Sequence, residues 1–159
     1  MPTETGTIDE RREGAPPRDE SRKPRGRLLW WLFRGTLCLL AFDAVLQAVL
    51  AGRFLSGAYP MLNLHQLNAT SVGVLSFVDI VVAVAAWRAC RGPGSLALAS
   101  VVLSAAIVAQ IALGFRRVLG LHIPLGVTVI GLACWLALWV CTHQPQDRPF
   151  GRRAAGTGR

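Results

Sequence analysis

At 159 residues the chain has room for one domain. Hydrophobic residues make up 52%, charged residues only 16%, and the mean hydropathy is +0.42. Because the apolar residues run in four long blocks, these values exclude an ordinary water-soluble fold, which could not cover so much continuous apolar surface. The net charge of +8 does not call for nucleic acid as a partner, since the basic residues gather beside the apolar blocks, as they do at a membrane surface.

Residues 1–27 carry seven basic and six acidic residues and almost no large apolar side chain. Such a stretch cannot bury enough surface to offset its ordering entropy, so a disordered tail is expected. Its last part, with Arg22, Lys23, Arg25 and Arg27, is purely basic and abuts the first apolar block, Leu28 to Ala51. That block could be a signal peptide cleaved after Val49-Leu50-Ala51. Its length, Asp43 and the long polar stretch before it favour a retained span. The second block runs from Met61 to Trp87, the third from Ser95 to Phe115 and the fourth from His122 to Thr142. Each is near or above the ~20 residues that cross ~30 Å of hydrocarbon. With no water to satisfy backbone groups, each must be helical. Gly57 and Pro60, then Gly92, Pro93 and Gly94, then Gly120 punctuate the short connections. Residues 143–159 are again polar and basic, and are expected to be a second disordered tail. No convincing internal repeat is visible, although the second and fourth blocks both begin near a histidine.

The expected fold is an all-α integral membrane protein, an up-down-up-down four-helix transmembrane bundle. With the N-terminus inside, thirteen Arg and Lys residues fall in inner segments and three, Arg53, Arg116 and Arg117, in outer loops. This places both termini in the cytoplasm and the chain in the plasma membrane. Arg34 can snorkel to the inner rim, and Trp30, Trp31, Trp87, Trp135 and Trp139 are expected interfacial anchors. The four cysteines, Cys38, Cys90, Cys134 and Cys141, match no zinc spacing and are expected to be free thiols.

Polar groups inside a membrane are expensive and therefore informative. In the second block His65, Asn68, Val72, Ser76 and Asp79 share one helical face, which should turn inward. Thr36, Asp43 and Gln47 share a face of the first block. Ala106, Gln110 and Gly114 share one of the third, and His122, Gly126, Val129 and Ala133 one of the fourth. Counting from the flanking arginines puts Gln47 and Gln110 in one outer layer with the two histidines, and Asp43 with Asp79 at a similar inner depth, about 13 Å from the inner rim.

Helices two and four are diagonal in such a bundle, so His65 and His122 could ligate one b-type haem from opposite faces. Gln47 and Gln110 would orient the imidazoles, Gly126 would leave space for the macrocycle edge, and Arg53, Arg116 and Arg117 would meet propionates. His143, at the inner end, is expected to be an ordinary interfacial residue.

The placement of His65, the run Ala109-Gln110-Ile111-Ala112-Leu113-Gly114 and His122 resembles one four-helix half of the haem A synthase family over roughly residues 36–142. The resemblance implies haem-ligating histidines on the second and fourth helices. Gln66 stands where that family has an arginine, and Leu62-Asn63-Leu64 offers no carboxylate. The family's outer cysteine pair is also missing. What carries over is haem binding, not the oxidation chemistry. The chain also resembles small four-helix membrane proteins of high-GC actinobacteria. Two rivals stand beside haem binding. One is a small proton-coupled transporter, expected as a dimer, in which Asp43 and Asp79 share or relay a proton. The other is an accessory subunit whose polar residues only tie helices together or to a membrane partner. Hydrolases and kinases lack their parts, since no nucleophile has a matched base and no Gly-rich phosphate loop exists.

Overall fold

The computed structural model describes residues 22–90 and 94–143 as four α-helices, α1 (Arg22–Leu55), α2 (Met61–Cys90), α3 (Gly94–Phe115) and α4 (Leu119–Thr142). The expected disorder of 1–21 and 144–159 lies outside the described residues, as do Arg91 and the side chain of Cys90. All four helices are long and apolar enough to cross a membrane. α1 starts at Arg22 rather than Leu28 and ends at Leu55 rather than Ala51. Arginine and lysine are good helix formers, so the helix propagates past its apolar block. At 34 residues, α1 is about 50 Å long and its ends project beyond ~30 Å of hydrocarbon.

The connections differ in how they turn. Gly57 has φ +96° and bends the chain between α1 and α2. Between α3 and α4 the left-handed residue is Arg117, with φ 56°, while Gly120 falls inside the first turn of α4. The Val118 amide reaches back to the Leu113 carbonyl at 3.0 Å, which closes α3 despite the non-glycine residue. Pro124 lies in the second turn of α4, where it removes the donor for the Gly120 carbonyl.

α1 packs on α2 and α4, and α3 packs on the same two, whereas the pairs α1/α3 and α2/α4 make no close backbone approach. The helices therefore form a four-membered ring with α2 diagonal to α4. Phe33, Leu37, Leu40, Leu103, Ile107, Leu136 and Val140 fill its centre. Large apolar side chains such as Phe42, Val81, Val127 and Leu138 face outward. At the end formed by the start of α1 and the end of α4, the Arg34 guanidinium donates to the Cys141 carbonyl at 3.1 Å and lies over the Trp31 ring. It thus satisfies an orphan carbonyl of the last α4 turn. Trp139 stacks on His143 in the same region. Trp30, by contrast, is buried in the core, with its indole N–H unpaired.

Candidate functional site

The inward face expected on α2 is the inward face observed. Val72, Ser76 and Asp79 are buried, and His65 and Asn68, nearer the α2 start, are half-buried. Burial stops abruptly along the bundle. Among the described residues nothing is fully buried on the histidine side of Ala44, Val72, Ile107 and Val129. This end of the ring, here called the cup, has no fully buried side chain, and its half-buried polar groups are Gln47, His65, Asn68, Gln110 and His122.

Each histidine is held by the glutamine of the preceding helix. His65 Nδ1 lies 3.1 Å from the Gln47 backbone carbonyl, and His122 Nδ1 lies 2.9 Å from the Gln110 carbonyl. A carbonyl only accepts, so both rings carry their proton on Nδ1. In return, Gln47 Nε2 donates to the His65 carbonyl at 2.9 Å, and Gln110 Nε2 donates to the His122 carbonyl at 2.7 Å.

The free nitrogens differ. His65 Nε2 accepts from Gln47 Nε2 at 3.2 Å, while His122 Nε2 has no hydrogen-bond partner among the described residues. Gln47 Oε1 accepts from Asn68 Nδ2, which also donates to the Asp43 carbonyl, both at 2.9 Å. Gln110 Oε1 is buried and unpaired. Leu125 explains the orphan, because it stands one turn after His122 where Asn68 stands one turn after His65.

The glycines serve the protein's own side chains. A Cβ added at Gly126 would lie 2.7 Å from Gln110 Nε2, and one at Gly114 would lie 2.9 Å from His122 Cε1. The space beside Gly126 is therefore taken by the glutamine amide rather than left for a macrocycle edge. Arg53, Arg116 and Arg117 are exposed at the cup end.

The two aspartates do not come together. Asp79 Oδ1 is 2.7 Å from Thr36 Oγ1, whereas the Asp43 carbonyl meets Asn68. Thr36 and Asp43 are separated by roughly 10 Å along α1, so the two aspartates stand at different depths in the bundle. The depth count placed Arg34 and Arg88 at one rim, yet Thr36 faces Asp79, so α2 runs well past the level of Arg34. Below the cup, Ser76 and Ser104 hydroxyls bond at 2.8 Å between α2 and α3.

The two hairpins also match in which of their positions are buried. Counted from each histidine, the buried positions pair as Val72 with Val129, Ser76 with Ala133, Asp79 with Leu136, and Ala83 with Val140. Counted back from each glutamine, Ala44 pairs with Ile107, Ala41 with Ser104, Leu40 with Leu103 and Leu37 with Ser100. The hairpins α1–α2 and α3–α4 thus share a register of burial beside their glutamine–histidine brackets.

No protein family matches the chain, and no curated protein and no solved structure is detectably similar to it.

Proposed function

We propose that the chain is a multi-pass protein of the plasma membrane, running up-down-up-down with both termini in the cytoplasm, and that its cup binds one b-type haem between His65 and His122. The excess of basic residues in the inner segments supports the orientation. The observation that carries the haem reading is the Nδ1 lock on both imidazoles. A backbone carbonyl on Nδ1–H is the partner that fixes a ligating histidine and leaves Nε2 for the metal. The rings stand on diagonal helices at the cup end of the bundle, and three arginines there suit propionates.

The two imidazoles fit such a group as donors on two conditions, the first being that the Gln110 amide beside Gly126 gives way to the macrocycle edge. His122 offers Nε2 directly, whereas His65 offers it only after the Gln47 amide turns away. Gln47 and Gln110 would hold the two rings, and the Gly114 surface would seat the His122 ring. A haem so held supplies one-electron transfer.

The test is a reduced-minus-oxidised absorption spectrum of protein made with haem supplied. A low-spin spectrum is expected, abolished by His65→Ala and by His122→Ala. A colourless wild-type protein sinks the reading. The accessory-subunit reading would then lead, because Ser76–Ser104 and the Gln–His contacts already tie neighbouring helices. Its sign would be a stable membrane partner, or a second copy, that co-purifies with the colourless chain.

A further inference from the structure

Asp79 lies at the middle of the described helices, 1% exposed, among α1, α2 and α3. Its Oδ1 meets the Thr36 hydroxyl, a neutral group, and its Oδ2 has no partner. Arg34, the cation nearest along α1, is committed to the Cys141 carbonyl and the Trp31 ring. A carboxylate here would be a bare charge in hydrocarbon.

The proton count points elsewhere. Thr36 Oγ1 is 2.7 Å from Asp79 Oδ1 and 3.0 Å from the Phe33 carbonyl oxygen. A hydroxyl has one proton, and a carbonyl oxygen has none to give. The Thr36 proton is either shared between the two acceptors, or it goes to Phe33 alone while a protonated Asp79 donates to Thr36. Only the second arrangement leaves no bare charge inside the bundle. The other half of the carboxyl agrees. Asp79 Oδ2 and Ser100 Oγ, on adjacent helices, are both buried without a partner. Ser100 is itself only 2% exposed. An acid protonated on Oδ1 leaves Oδ2 as a neutral acceptor, and the unpaired Ser100 hydroxyl is the donor beside it, directly or through one water.

We propose that Asp79 is a proton-binding site at the centre of the bundle, a neutral carboxylic acid that gives its proton to Thr36 and accepts from Ser100. The ligand is the proton itself, and the chain Asp79–Thr36–Phe33 carbonyl is its binding motif. The site is independent of haem binding, so a colourless protein would still contain it.

The experiment is infrared spectroscopy of the full chain, labelled with ¹³C at aspartate side-chain carboxyls, in phospholipid vesicles at neutral pH in potassium chloride. A carboxylic-acid C=O band, separate from the carboxylate bands, is expected. It should be lost in Asp79→Asn and kept in Asp43→Asn. Thr36→Val should keep the band but shift it, because the group receiving the acid proton is gone. Should Asp79→Asn fail to fold, that shift decides alone, and an unmoved band overturns the proposal. Wild-type spectra with carboxylate bands only would overturn it too, as would an acid band that survives in a folded Asp79→Asn. A band that vanishes when sodium chloride replaces potassium chloride would overturn it by making Asp79 a sodium ligand, and an indifferent band supports it.

Discussion

The hairpins α1–α2 and α3–α4 share a glutamine–histidine bracket and a register of buried positions, yet their interiors are chemically opposite. The first carries Thr36, Asn68, Ser76 and Asp79. The second has Ala99, Leu125, Ala133 and Leu136 in the same places. The pairs Leu37 with Ser100 and Ala41 with Ser104 run the other way, so the polar groups of both hairpins collect between α1, α2 and α3. In a membrane, apolar burial drives helix association little, and hydrogen bonds and close packing do more of it. The polar network thus spans α1, α2 and α3, and α4 contributes an apolar wall and an imidazole with a free Nε2.

The largest expected effect comes from forcing the second hairpin to copy the first at its centre. Leu136→Asp would bury a carboxyl with Ala99 where Thr36 stands, and should destabilise the bundle by about 3–5 kcal/mol. Loss of the folded band in detergent at temperatures where the wild type survives would show it, and a wild-type melting temperature would break the equivalence of the two positions. Gly126→Ala drives a methyl into the Gln110 amide and should cost about 1–3 kcal/mol by freeing buried polar groups. The readout is a lower melting temperature, together with a changed ¹⁵N shift of the His122 ring, while the His65 ring stays as it is.

A gain is expected from Leu125→Asn, which supplies the donor that Gln110 Oε1 lacks. The stabilisation should be about 0.5–1.5 kcal/mol. Asn68→Leu in the first hairpin should lose a similar amount, and a thermal melt of the pair tests whether the brackets are interchangeable. The smallest effect lies at the seam between hairpins, where Cys38 Sγ is 3.5 Å from Cys141 Sγ. Cys38→Ser should change stability by less than about 0.5 kcal/mol. Oxidation of the wild type by diamide should cross-link the two thiols within one chain, giving a faster-migrating band on non-reducing gels. Dimers in place of that band would break the α1/α4 contact.

The four spans and the inward stripe of α2 were legible because both rest on local rules. A run of apolar residues is a span whatever surrounds it, and residues at helical spacing share a face whichever neighbour they meet. His65, Asn68, Ser76 and Asp79 were placed on that face from spacing alone. The match of Gln47 to His65 and Gln110 to His122 in one layer was legible for the same reason, since each pair spans a short connection. The error in the depth of Asp43 against Asp79 has a physical source. Arginines mark a rim only when their helices end there, and α1 continues below Arg34 to Arg22.

What the sequence by itself determined is therefore one-dimensional: where helices begin, how long they are and which side chains share a stripe. Only the tertiary structure decided which stripes face each other. It decided that Thr36 meets Asp79, that backbone carbonyls lock both Nδ1 atoms, and that one Nε2 is capped while the other is free. These depend on the axial offset and rotation of packed helices. Contacts between side chains far apart in the chain set both, and no local pattern encodes them.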